Sequence, residues 1–352
     1  MRDKHAALLL FCLGVPGCLR PLQTESKIAL TTPLQANVTP ELPHKDAGRP
    51  LTEMPVDGPA APDCGPRVAV IDVDGLLLNQ NFTGPYSAGE NPVDLLREKL
   101  DAAACDPAVC ALVLRINSPG GSVTATDIMW REVQKFRPRT RRPVVACLMD
   151  TGCSGAYYLA TASDVILAHP TTITGGIGVI LNLYNLQDAL GLINIVRQPV
   201  KAGPNIDLGN ITAPLPADSR RILQAMADEL HQRFQTVVKE QRPQVDFGDG
   251  TTFDGRVFTA QQALQRKLID RIGYLDDALN AAREMAAQPS ARAVLYHRGN
   301  DPARTPYAIT PNHPLQGSLL PISIPGIDRS RLSTFLYLWQ PDPTLERQSG
   351  RY

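Results

Sequence analysis

Four apolar runs rich in β-branched residues limit what this chain can fold into: RVAVIDVDGLL (67–77), CALVLRI (110–116), PVVACLM (143–149) and DVILAH (164–169). Each has the length and composition of a buried strand, and the first ends at a turn glycine, Gly75. The segments between them follow helical spacing instead. Asn91-Pro92 is a helix start, a capping side chain followed by a first-turn proline. The stretch VDLLREKLDAAA after it places Val93, Leu96, Leu100 and Ala103 on one face, and TATDIMWREVQKF (124–136) is the next helix. Strands alternating with helices imply an α/β domain, with a largely parallel sheet and helices packed outside it.

Further along, 216–240 reads as one long amphipathic helix, and 254–284 as a small strand–helix–strand–helix unit. After about Gln288 the periodicity fades and proline returns, which sets 289–352 apart as a C-terminal tail. Its one apolar stretch, STFLYLWQP (333–341), fits a packing strand or an oligomer contact. At the other end, Pro33 to Pro66 holds 8 prolines in 34 residues without apolar periodicity, so 19–66 is expected to be an extended tether. The folded domain is therefore placed at 67–288.

Residues 1–18 are a separate object. Arg2 and Lys4 precede an apolar run from Ala6 to Val15, shorter than the roughly 20 residues a membrane span needs and suited to an export signal. Gly17 then precedes Cys18, as in a bacterial lipoprotein signal, in which Cys18 becomes the lipidated first residue. An ordinary cleaved signal is the alternative, and both place the chain across the cytoplasmic membrane, facing the periplasm.

Lys+Arg and Asp+Glu both number 35, a balance that argues against a nucleic-acid or polyanion partner. Of the 7 cysteines, Cys12 and Cys18 fall in the signal. The other five fit no disulfide framework and no zinc spacing, and nothing calls for a metal or cofactor. Cys105 and Cys110 flank a turn and can pair, while buried free thiols are expected for most of the rest.

Two glycine-rich turns follow strands: INSPGGSV (116–123), and SGAYY, which begins at Ser154. Paired glycines let a substrate carbonyl approach exposed backbone N–H groups. Ser154, at or near a helix start, has the N–H of Gly155 and the helix dipole beside it, an arrangement that suits a nucleophile and its oxyanion.

INSPGGSV, SGAYYLATASDVILAHPTTITGGIGV and DGRVFTAQQALQRKLIDRIGYLDDAL together resemble the signal peptide peptidase A family of bacterial serine peptidases, from about Arg67 to Glu284. The resemblance implies the ββα spiral of the Clp protease and crotonase superfamily, with Ser154 as nucleophile and Gly121 and Gly155 as oxyanion donors. It also implies a homo-oligomeric ring or dome with an apolar groove for extended peptide substrates. The family's general base is a lysine in a segment that reads KAGPNID (201–207) here, where Ile206 stands at the lysine's position. Lys201 is a candidate substitute base. His169, Lys267 and the neighbouring thiol Cys153 are weaker candidates, better read as structural residues.

Two functions follow from different classes. One is an exported, lipid-anchored serine peptidase with a relocated base; the other is a catalytically silent, membrane-anchored peptide-binding or scaffold ring. An acyl-CoA enzyme of the same superfamily is disfavoured, because export removes the chain from the CoA pool.

Overall fold

The computed structural model describes residues 50–57, 65–81, 89–248, 250–298, 304–310 and 335–339, all within the unit Leu42–Tyr352. The strands are β1 (Leu51–Asp57), β2 (Arg67–Asp74), β3 (Val109–Ser118), β4 (Gly120–Ser122), β5 (Val144–Cys153), β6 (Val165–Ala168), β7 (Ile173–Gly175), β8 (Val257–Thr259), β9 (Arg271–Ile272), β10 (Arg292–Arg298) and β11 (Leu336–Leu338). The helices are α1 (Pro92–Cys105), α2 (Val123–Thr140), α3 (Gly155–Ala160), α4 (Gln187–Leu192), α5 (Ala217–Gln241), α6 (Ala260–Gln265) and α7 (Leu275–Met285).

The main sheet has 9 strands in the order β1-β10-β2-β3-β5-β6-β9, with β7 pairing β5 and β8. The β10–β2–β3–β5–β6–β9 pairings are all parallel, and only β1 and β8 run against their neighbours. Helices cover both faces, which is why the strand sequences are so evenly apolar. Leu112, Leu114 and Ile116 of β3 pack with Leu96 and Leu100 of α1 and with Met129, Val133 and Phe136 of α2. The alternate residues Ala111 and Val113 pack with Leu275, Leu279 and Ala282 of α7. The Asn91 side chain caps α1 by accepting from the Val93 N–H at 3.0 Å, as its sequence position implies.

A second, smaller layer sits over the ends of β2 and β3. Past the turn at Gly75, Leu77 forms a parallel bridge to Gly121 in β4. On its other side β4 pairs antiparallel with β11, and Leu336 of β11 bridges to Ile180. Each of the first two turns of the fold is thus a long strand, a short extended segment in this layer, and a helix: β2, Leu77, α1, then β3, β4, α2. This is the expected ββα pattern, a mixed α/β fold with a mainly parallel sheet and flanking helices.

Two segments differ from the sequence expectation. β1 lies within 19–66, the stretch expected to be a tether, and pairs along β10. It contains Pro55, which is tolerated because β1 is an edge strand. β10 lies beyond residue 288, yet it is an interior strand between β1 and β2. The tail also returns at 304–310, drawn in by a buried ion network. Lys99 Nζ donates to Asp72 Oδ1 at 2.6 Å and to Thr310 Oγ1 at 2.5 Å, the Thr310 N–H donates to Asp72 Oδ2 at 2.7 Å, and Arg115 donates to the carbonyls of Pro306 and Ala308. The export signal, Cys18 and Cys64 lie outside the described residues. Among the described residues no helix is long and apolar enough to cross a membrane.

Candidate active site

β5 runs straight into Ser154, which sits between the strand and α3 with φ 53° and ψ −114°. An L-residue rarely adopts such angles, and strain of this kind costs on the order of 1–3 kcal/mol and persists only where the surroundings enforce it. Here the Ser154 N–H donates to the Gly175 carbonyl at 2.7 Å, and the Ser154 carbonyl accepts from the Tyr158 N–H at 2.9 Å. The strand leading in is held by Asn117, whose Oδ1 accepts from the Thr151 N–H at 3.1 Å, and by Thr174, whose hydroxyl donates to the Gly152 carbonyl at 2.6 Å. Ser154 is 1% exposed, and its Oγ has no hydrogen-bond partner among the described residues.

The two glycine turns meet at this serine. A Cβ on Gly120 would fall 2.8 Å from the Gly155 nitrogen, and one on Gly155 would fall 2.6 Å from Thr126 Oγ1. Gly120, with φ 106°, therefore demands glycine because of close backbone approach, while Gly155 is crowded by the Thr126 hydroxyl and the Tyr337 carbonyl. Gly121 lies in β4, one residue on, and Gly155 opens α3, so its N–H is one of those a helix start leaves unsatisfied. With 6 residues, α3 is too short to add much dipole, so the local amides are what the site offers. A hydroxyl, a strained strand-to-helix turn and nearby backbone amides form an arrangement suited to acyl transfer.

The candidate bases lie elsewhere. Lys201 Nζ donates to Asp207 Oδ1 at 2.8 Å, and Arg197 also pairs with Asp207. Their hydrogen bonds hold the Asp207 carboxyl below its usual range. Ile206 is 73% exposed. The structure therefore joins Ser154, Gly155 and the Gly120–Gly121 turn, and does not bring Lys201 into hydrogen-bond contact with Ser154. His169 Nδ1 pairs with Thr171 Oγ1 at 2.8 Å, and its ring stands edge-on to Tyr274. Lys267 is exposed just after α6, with φ 62°. Cys153 donates to the Ile173 carbonyl, and burial pushes its thiol far up, which disfavours the thiolate that a nucleophile needs. Cys105 and Cys110 are both free thiols.

Sequence reasoning missed two residues at the site. Thr126, on α2, places beside Gly155 a second buried hydroxyl that has no hydrogen-bond partner among the described residues. Tyr337, in β11, is fully buried with its carbonyl against both glycine turns. Thr126 follows Ser122 in the TATD stretch, and nothing in that pattern separates it from an ordinary first-turn threonine.

Residues 137–288, which include Ser154, β7 and the β8–α7 unit, match the model of peptidase family S49. That segment is similar to the peptidase domain of SppA-like S49 proteins. The chain is 30% identical over 224 residues to Protease 4 of Salmonella typhi, an alignment covering 64% of this chain and 35% of that one. It is 30% identical over 231 residues to the chloroplastic serine protease SPPA of Arabidopsis thaliana, covering 65% and 34%. A putative signal peptide peptidase SppA of Enterococcus faecium is 25% identical over 230 residues, covering 65% and 67%. The chain thus spans about a third of the length of the first two relatives, and the S49 match begins within α2, past the first glycine turn.

Proposed function

We propose that this protein is an exported, lipid-anchored serine peptidase of the SppA type that cleaves extended peptides, signal peptide remnants or misfolded segments, through Ser154. In this scheme Ser154 Oγ adds to the peptide carbonyl carbon and gives up its proton to a base. The N–H groups of Gly121 and Gly155 hold the oxyanion. Collapse expels the amine, which takes that proton back from the base, and water then hydrolyses the acyl-enzyme. The observation that carries this proposal is the backbone of Ser154, strained and buried where two glycine turns converge. Anchoring through Cys18 is carried by the sequence of residues 1–18, and assembly into a homo-oligomer is supported by exposed apolar side chains, argued below.

The base is the open element. With Ile206 at the lysine position, Lys201 is the nearest cation in the segment, and it must leave Asp207 to serve. Loss of a general base costs about 10²–10⁴-fold in rate. The engagement of Lys201 with Asp207 and the lone Ser154 hydroxyl favour the second function, a peptide-binding or scaffold protein that retains the fold without turnover.

Labelling of the full chain with a fluorophosphonate probe, with Ser154→Ala as background, separates the two. Labelling that is lost in Ser154→Ala and in Lys201→Ala establishes a peptidase with a relocated base. Labelling that requires Ile206→Lys establishes a site lacking its base, and rules out turnover by the native protein.

A further inference from the structure

β11 lies between β4 and Ile180 as an extended segment hydrogen-bonded on both sides. Leu336 exchanges both backbone hydrogen bonds with Ile180, at 3.0 and 3.1 Å. On the β4 side the Trp339 N–H donates to the Pro119 carbonyl at 2.9 Å, and the Val123 N–H to the Phe335 carbonyl at 3.4 Å. The alternation of an antiparallel ladder makes Gly121–Tyr337, midway between these, a hydrogen-bonded pair. The Tyr337 carbonyl therefore faces the Gly121 N–H, and it is 3.0 Å from where a Cβ on Gly155 would stand. The Tyr337 ring lies 5.5 Å from Tyr158 and 4.7 Å from Phe234, centroid to centroid, and its hydroxyl donates to the Leu230 carbonyl at 2.7 Å. Leu336 and Leu338 point the other way, onto Leu76, Leu78 and Ile180.

This is how a peptide ligand is held by strand addition: main-chain hydrogen bonds on the edge, and pockets for alternate side chains. We propose that residues 335–339 occupy the peptide groove beside Ser154 as an internal ligand, and that the Tyr158–Phe234–Leu230 pocket selects an aromatic side chain in whatever extended peptide replaces them. The proposal deepens the peptide-groove assignment of the Ser154 site and rests on it. A tethered strand is present at an effective concentration on the order of millimolar, so it excludes a weaker free peptide. Displacement of the strand then precedes entry of any substrate, and the phenol hydroxyl bound at Leu230 makes tyrosine the preferred residue over phenylalanine.

The test uses the full chain and a fluorescent peptide of residues 333–341 added in trans, with binding read by anisotropy. Tyr337→Ala empties the pocket, and Leu336→Pro removes the N–H that bonds Ile180 while keeping the ring. Both variants are expected to bind the peptide roughly 30-fold or more tighter than the native chain, since the native groove is open only in a small fraction of molecules. A peptide carrying alanine at the tyrosine position is expected to bind the variants roughly tenfold weaker. Equal affinity in the native chain and both variants overturns the proposal. So does failure of both variants to fold, because β11 is then part of the core. Variants that bind the peptide without taking the fluorophosphonate label uphold the internal ligand and refute the peptidase. Variants that label but do not bind the peptide do the reverse.

Discussion

Ser154 is where residue-level chemistry and backbone strain coincide. Its φ of 53° with ψ of −114° suits glycine far better than serine. Ser154→Gly is expected to unfold at higher urea than Ser154→Ala, by about 1–2 kcal/mol, because only glycine relieves the strain. Equal stability of the two variants contradicts an enforced turn. The serine, both glycine turns and the weakness of the alternative bases were legible in the sequence. The lone state of the hydroxyl was not, because Lys201 and Asp207 are only six residues apart and their pairing depends on how the loop between them closes.

At the scale of elements, capping and strand chemistry account for most of the sequence-to-structure agreement. Asn91→Ala removes the side-chain acceptor at the start of α1 and is expected to cost about 1 kcal/mol in urea unfolding; no change shows the cap to be dispensable. Strands β1 and β10 escaped the sequence analysis, and the 333–341 stretch that holds β11 fits an oligomer contact as well as a packing strand, for a common reason. Proline-rich surroundings hide them, and each is fixed by a partner far away in the chain: β1 by β10, β10 by β2, β11 by β4. Local propensity carries little of that information, since strand preference mostly reflects packing against neighbours.

For the molecule as a whole, the buried ion network and the exposed apolar segment have measurable consequences. Burial pushes the Asp74 carboxyl up to about 6, outweighing the Arg115 guanidinium 3.3 Å away. A carboxyl with a higher pKa folded than unfolded holds its proton more tightly in the native state. Its contribution therefore favours folding below the unfolded value of 3.8, and is lost as pH rises towards 6. Asp74→Asn abolishes that dependence. Its stability relative to the parent is expected to rise by roughly 2 kcal/mol between about pH 4 and about pH 8 in paired urea titrations. A constant difference across that range refutes the assignment. Leu192, Ile193, Ile195, Val196 and Val200 are each more than half exposed, a run of apolar surface that suits the proposed contact between copies. Val200→Asp is expected to shift sedimentation towards the monomer, and an unchanged profile places any assembly elsewhere.

From the sequence alone came the α/β class, the parallel core strands, the helices between them, the serine and its glycine turns. All of these rest on local patterns: apolar periodicity, capping residues, and glycine where the chain must turn tightly. Tertiary structure alone decided that the serine backbone is strained, that Lys201 pairs with Asp207, and that the tail threads back to lie between β4 and Ile180. The strained serine and the threaded tail depend on backbone hydrogen bonds between separated segments. Main-chain groups are the same at every residue, so the amino-acid pattern does not reveal which of them pair. The Lys201–Asp207 pair depends instead on how its loop closes.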